Sequence, residues 1–403
     1  MLHSYSFSNF QSFLEKTTVD FRVTKKVANS DWIAAGPSGE RVSKVMAILG
    51  PNGAGKTALL KPVAFFGWFI CQSFQNAPNA PIPVSPHFSA PKEPTTFSCV
   101  ADFDGSIWRY ELTCTQERVL YEALSRKSTQ TPKRYEPIFI RKWDDRFENY
   151  DIHQENFGLP AEGAQKVRQN VSLISWAAQY NVPLALRIVG RADLPWVVSN
   201  VTGVGRLQQG DNALFAAAAF YHHYPESQNL MARLLASWDL GLTGVEIRET
   251  TAQDPNDPQK THKVVIPFGK HVSGGQSHEL PFILESSGTQ GAFVHLMRLF
   301  VALSQGGIAV IDEFESELHP HMLEPILGLL ANPDINRHNA QLLFSCHAAE
   351  VLNILHKSQV MLVEKDEECE SHAIRMDKVE GIRNDDNFYA KYMAGAYGAV
   401  PRF

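Results

Sequence analysis

Residues 1–24 alternate apolar and polar positions around Phe7, Phe10, Phe13, Val19, Phe21 and Val23, a period of two that predicts a hairpin of strands. Residues 45–49, Val-Met-Ala-Ile-Leu, form a short continuous apolar run before a glycine, the pattern of a strand buried on both faces. A helix should follow, bent or interrupted at Pro62 because proline lacks the N–H and its ring crowds the preceding turn. Prolines recur through residues 76–94, which favours an extended surface loop. Residues 97–112 read as a hairpin around Asp104-Gly105. Helical spacing of apolar residues marks 165–181, 211–224 and 227–239, with Asp211 and Ser227 as candidate N-caps. Strands are expected at 245–249, 264–268 and 279–284, with a turn at 254–258. From there the chain alternates: helix 290–305 ending at Gly306-Gly307, strand 308–311, helix 320–330, strand 341–344, helix 349–355 and strand 360–363. Such alternation predicts a largely parallel sheet with helices packed on it.

Composition narrows the class. The 403 residues, 44% apolar and 20% charged, are those of an ordinary globular protein of one large or two medium domains. No basic-then-apolar leader opens the sequence, and no apolar stretch of membrane-spanning length is evident, so a cytoplasmic protein without a membrane partner is expected. Five scattered cysteines form no C-x-x-C pair, which argues against a zinc ribbon or a disulfide scaffold. A formal charge of -6 argues against a surface that attracts nucleic acid as a whole, though not against a local basic groove.

The chemistry lies at the strand ends. Gly50-Pro51-Asn52-Gly53-Ala54-Gly55-Lys56-Thr57 fits G-x-x-x-x-G-K-[ST] and sits between a buried strand and a helix, the context a phosphate loop requires. Backbone N–H groups from Asn52, Gly53, Ala54 and Gly55 would face the phosphates of ATP, Lys56 would reach their outer oxygens, and Thr57 would ligate Mg²⁺. The strand at 308–311 ends in Asp312-Glu313. Beside a phosphate loop, Asp312 suits Mg²⁺ and Glu313 suits a general base for an attacking water.

Two stretches look like the signature loop that, in ABC-type ATPases, clamps the γ-phosphate from a second subunit. Residues 272–276, Val-Ser-Gly-Gly-Gln, lie between strand-like runs and read as a hairpin turn. Ser286, Ser287, Gly288 and Gln290 open a helix whose N–H groups face forward, and they are preferred. His347 follows the strand at 341–344, where ABC-type ATPases keep a histidine that senses the γ-phosphate, a role this likeness implies over that of a capping or core histidine. The pairs His222/His223 and His319/His321 lack companion ligands, so packing or surface roles are expected.

These pieces resemble the bacterial OLD, RecF and SMC-like ABC ATPases. The resemblance rests on residues 7–13, the phosphate loop, residues 284–290, residues 312–320 (Asp-Glu-Phe-Glu-Ser-Glu-Leu-His-Pro), Ser345-Cys346-His347 and residues 392–401. Residues 168–181 look like the stand-alone ATPases of abortive-infection and anti-phage operons, such as AbiL, Septu, PARIS and ATPase-bearing retrons.

The resemblance implies an α/β P-loop NTPase of ABC type, a mixed sheet flanked by helices, its core at 1–140 and 245–403 and a helical lobe inserted at 141–244. It also implies an ATP-driven homodimer or higher oligomer. Such a dimer would control a separately encoded effector, a Toprim or HNH nuclease or a retron reverse transcriptase with its RNA or DNA. About 56 residues follow His347, too few for a further domain, which is why the effector is expected in trans. A RecF-like ATPase acting directly on DNA is the alternative. Pro62 and Ala396, the latter where an arginine is expected, depart from the family pattern, and of the glutamines only Gln179 suggests itself as the link to the helical lobe.

Overall fold

The computed structural model describes residues 1–400 except 37–38, 128–133, 192–193, 206–210, 239, 255–256 and 317. Its contacts divide the chain into two compact units, one of residues 1–206, 302–313 and 327–403, the other of 207–301 and 314–326.

The first unit holds two large sheets. A six-stranded sheet runs in the order Val197–Ser199, Ile308–Ile311, Gln341–Ser345, Val45–Leu49, Val360–Lys365, Ser371–Arg375. All its neighbours pair in parallel except the last two strands. Every residue of Val45–Leu49, Ile308–Ile311 and Gln341–Ser345 is buried, as expected of parallel strands covered on both faces. Because these three strands run in one direction, the segments that follow them emerge along one edge of the sheet, where α/β proteins place their sites.

A seven-stranded antiparallel sheet follows the order Asn149–Gln154, Tyr135–Asp144, Val119–Lys127, Ser106–Cys114, Thr95–Phe103, Leu2–Ser8, Thr17–Asp20. It contains the predicted N-terminal hairpin and the turn at Asp104-Gly105, where both residues have positive φ (50° and 73°), the turn geometry that matches strand twist. The architecture is the mixed α/β fold of P-loop ATPases.

Several local expectations change. The helix Lys56–Gln72 runs unbroken through Pro62. Its burial beside Leu59, Val63, Phe65, Phe66 and Phe69 supplies the stability that the missing N–H removes. Its length and apolar character would let the stretch Lys56–Gln75 pass for a membrane span, but most of it is buried inside the protein.

The proline-rich stretch 76–94 forms no strand or long helix, yet it is no loose surface loop. Ile82 and Val84 are buried, and Asn170 Nδ2 donates to the carbonyls of Ala77 and Ala80. The helix predicted over 165–181 is instead the end of Ala161–Gln165 and the short helix Leu173–Ala178, with a further helix, Pro183–Val189, just beyond. These lie in the first unit, and Leu173, Ile174, Ala177 and Ala185 join its core. The stretch 141–244 is thus shared between the units, 141–206 in the first and 207–244 in the second.

The second unit combines helices Asp211–His223, Pro225–Ser237 and Ser287–Gln305 (to Val301) with a three-stranded antiparallel sheet of Gly244–Asp254, Asp257–Ser273 and Gln276–Pro281. Its core includes Tyr221, whose Oη donates to the Phe293 carbonyl at 3.0 Å. The helix expected to be capped by Ser227 starts two residues earlier, at Pro225, since proline at the first helical position gives up no needed N–H. The other candidate cap, Asp211, is itself the first helical residue. The segment expected as a helix at 349–355 is a 3₁₀ turn, Ala349–Asn353, and the helix at 320–330 begins as another, Pro320–Met322. The centre of the turn expected at 254–258 lies outside the described residues.

Candidate nucleotide site

The phosphate loop leaves the end of Val45–Leu49 and enters the helix Lys56–Gln72. Gly50 has φ 157°, and a Cβ there would lie 2.2 Å from the Val363 carbonyl oxygen. Gly55 has φ 110°, and its Cβ would meet Ser371 Oγ at 2.5 Å. Both positions require glycine on conformational and on steric grounds. Ser371 braces the loop from outside, its hydroxyl donating to the Ala54 carbonyl at 2.7 Å and accepting from Ser12 Oγ at 2.8 Å.

Lys56 is 7% exposed, and its ammonium donates to the carbonyls of Gly50 (2.8 Å) and Pro51 (3.0 Å) and lies 3.4 Å from His347 Nδ1. Thr57 Oγ1 lies 3.1 and 3.0 Å from the two carboxylate oxygens of Asp312. Asn52, Gly53, Gly55, Lys56, Thr57, Asp312, Glu313 and His347 line a single cavity of about 340 Å³ together with Gln11, Ser12 and Ala58. Ala54 is buried behind the loop.

Asp312 is 2% exposed and held on three sides. Its carboxylate accepts from Ser345 Oγ at 2.5 Å, while Asn200 accepts its backbone N–H (2.7 Å) and donates to its carbonyl (3.0 Å). Glu313 has φ 50°, a left-handed conformation that costs a residue with a Cβ about 1–2 kcal/mol. Its N–H donates to Ser345 Oγ at 2.8 Å. Strained backbone next to paired acids is the kind of conformation that functional sites retain. One helical turn into the cavity wall, burial lowers the pKa of Lys61, while the nearby negative charge of Asp312 opposes that fall.

The donor set fits a hard divalent cation. A hydroxyl and a carboxylate lie within hydrogen-bond distance, oxygens only, with no thiolate or imidazole between them. The backbone beside them has the Gly-rich turn that presents N–H groups to phosphate.

The sequence reading missed Asn200, Gln11 and Ser371, and gave Ser345 no role. Ser345 stands two positions before His347, a signal within reach. Asn200 and Ser371 act on partners far away along the chain, which no local pattern marks. Gln179 caps the short helix Leu173–Ala178 and is not among the residues lining the cavity.

The preferred clamp segment belongs to the second unit. Ser286 Oγ accepts the Thr289 N–H at 3.2 Å and starts the helix Ser287–Gln305, leaving Ser286 and Ser287 exposed. Gln290 folds back, donating to the carbonyls of Ile283 and Glu285. The rival stretch is a hairpin turn, as expected: Ser273 pairs with Gln276 around Gly274 and Gly275 at φ 59° and 78°.

Glu285, just before the helix, carries a pH-dependent contact. The two ring nitrogens of His271 face two acceptors, Glu285 Oε1 at 2.8 Å and the Gly241 carbonyl at 2.9 Å, so only the imidazolium donates to both. The hydrogen bond to Glu285 raises the His271 pKa. A histidine raised on folding stabilises fully below its unfolded value of about 6.5 and loses that contribution as pH rises through the folded value. NMR titration should give His271 a midpoint above about 6.5, and Glu285→Gln should lower it; an unchanged midpoint would contradict the pairing.

No curated protein matches the sequence. Among solved structures, the SMC head domain from Thermotoga maritima shares 15% identity, with 93% of this chain and 98% of that chain covered and a TM-score of 0.41. An SmcHead bound to the C-winged helix domain of ScpA gives 11%, 94% and 99%, and 0.45. The Smc head domain with an extended coiled coil from Pyrococcus furiosus gives 10%, 93% and 95%, and 0.39. Residues 45–353, from the strand before the phosphate loop to the turn after His347, match a family of ATPase domains, and the chain belongs to that family, described as "AAA domain, putative AbiEii toxin, Type IV TA system".

Proposed function

We propose that this protein binds and hydrolyses ATP, and that the cycle regulates a separately encoded effector of a bacterial defence system. The observation that supports the first part is the convergence of Lys56, Thr57, Asp312, Glu313 and His347 on one cavity. Lys56 offsets the charge of the β- and γ-phosphates. Thr57 and Asp312 are the residues that would hold Mg²⁺, which supplies charge neutralisation on those phosphates when bound. Glu313 orients a water and takes its proton as the water oxygen bonds to the γ-phosphorus and the bond to the ADP oxygen breaks, giving ADP and phosphate. His347, whose Nδ1 lies 3.4 Å from the Lys56 ammonium, would respond to charge at the γ-phosphate.

The regulatory part rests on the family description, which names toxin and toxin–antitoxin systems, and on the resemblance to anti-phage ATPases. In this reading two copies associate when ATP is bound, with Ser286, Ser287, Gly288 and Gln290 of each contributing to the other's nucleotide. The protein then works in the cytoplasm.

Steady-state hydrolysis with Mg²⁺ tests the first part. The wild type should turn over ATP and Lys56→Ala should lose nucleotide binding by about 10²-fold or more, since it removes a charge-assisted contact to phosphate. A wild type that neither binds nor hydrolyses ATP would overturn the reading. Phage challenge of cells carrying the gene with and without its neighbouring open reading frames tests the second. Protection should require both the neighbour and Lys56; protection by this gene alone, or by its neighbour alone, would contradict it.

A further inference from the structure

The Ser345 hydroxyl is the point where the two acids of the site meet. It donates to Asp312 Oδ1 at 2.5 Å and accepts the Glu313 N–H at 2.8 Å, so one buried oxygen fixes the carboxylate of one residue and the backbone of the next. Ser345 is 0% exposed and ends the strand Gln341–Ser345. That strand pairs with Ile308–Ile311, which delivers the acids, and with Val45–Leu49, which delivers the phosphate loop. His347, two residues on, touches Lys56. Asn200, the other residue that grips Asp312, does so through the backbone N–H and carbonyl.

We infer that Ser345 is a positioning residue for hydrolysis: it holds Asp312 in its metal-facing orientation and keeps Glu313 in the left-handed conformation that aims its carboxylate at the cavity. The inference rests on the hydrolytic reading of the site. Its physical basis is the φ of 50° at Glu313, a conformation that persists only where surrounding contacts over-determine it. With the hydroxyl gone, the Glu313 N–H loses its acceptor, Asp312 loses a charge-assisted bond, and the backbone at 313 can relax toward negative φ. The carboxylate then moves away from where water must be activated, while the phosphate loop stays intact.

The test compares Ser345→Ala with Ser345→Thr, which keeps the hydroxyl and suits a strand position. Ser345→Ala should lower kcat by about 10²-fold, the scale expected when a reacting group is misplaced by an ångström. Its affinity for ATP without Mg²⁺ should stay within about threefold, because the phosphate loop is untouched, and half-saturation with Mg²⁺ should rise. Independently of turnover, hydrogen exchange at the Glu313 amide should accelerate in Ser345→Ala and return towards wild type in Ser345→Thr. Wild-type kcat in Ser345→Ala, or an exchange rate at Glu313 that the substitution leaves unchanged, would overturn the inference. So would equal loss of kcat in both variants with the Glu313 amide still protected in Ser345→Thr. If the wild type binds ATP without turnover, the hydrolytic reading fails and the exchange measurement still decides whether Ser345 holds Glu313.

Discussion

Glu313→Gln should abolish turnover while leaving nucleotide binding in place. The substitution keeps the size of the side chain and its backbone hydrogen bond to Ser345 but removes the group that takes the proton from water. Loss of a positioned general base costs about 10²–10⁴-fold in kcat. Lys56, Thr57 and Asp312 keep their contacts, so binding of ATP with Mg²⁺ should persist and the bound state should accumulate. In the proposed cycle that state is the associated one, so size-exclusion chromatography with ATP should show a larger species for Glu313→Gln than for Lys56→Ala. Unchanged kcat would mean that another residue serves as the base, and the strained φ of Glu313 would need another explanation.

The second large effect lies in the core. Glu122 and Arg141 are both 0% exposed, with Arg141 Nη1 3.2 Å from Glu122 Oε2. Glu122 also accepts from Tyr110 Oη (2.8 Å), Ser172 Oγ (2.7 Å) and the Leu173 N–H (3.0 Å). Arg141 donates to the carbonyls of Val171 and Arg168 and lies over the Tyr150 ring at 3.8 Å. Burial first, and then the Glu122 charge, raise the pKa of Tyr110 well above its usual value, so it stays a donor. The pair ties the seven-stranded sheet to the helix Leu173–Ala178.

Breaking such a pair from one side leaves a buried charge uncompensated. Glu122→Gln should therefore destabilise the first unit by about 3–5 kcal/mol, read by chemical denaturation followed by tryptophan fluorescence. Replacing both partners with apolar residues should cost less than the single change, because no lone charge remains. A single change that costs under about 1 kcal/mol would show that water reaches the pair.

What the sequence reveals and what it hides follow from how far apart the interacting residues lie. Lys56 and Thr57 share one contiguous motif, and Asp312 and Glu313 end an apolar strand, so the heart of the cavity is legible from neighbouring residues alone. Gly274-Gly275 is legible as a turn for the same reason: two glycines between strand-like runs favour positive φ, and both have it. Asn200 is not legible, since an edge strand of Val197–Ser199 gives it no special neighbours and its partner is Asp312. The helix start at Pro225 is misread because Ser227 is a good cap by type, while proline outranks it by geometry. The stretch 76–94 is misread because prolines predict the absence of regular structure but not the absence of packing, and Ile82 and Val84 are core residues. The division into units depends on how the helices at 161–189 pack, which periodicity within each helix does not encode.

The account stands most directly on where the triphosphate binds. A crystal structure of the Glu313→Gln protein grown with ATP and Mg²⁺ should place the β- and γ-phosphates against the N–H groups of residues 52–57, with Lys56 on their oxygens and the metal between Thr57 and Asp312. Triphosphate bound elsewhere, or bound in this cavity with Asp312 and residue 313 turned away from it, would contradict the account.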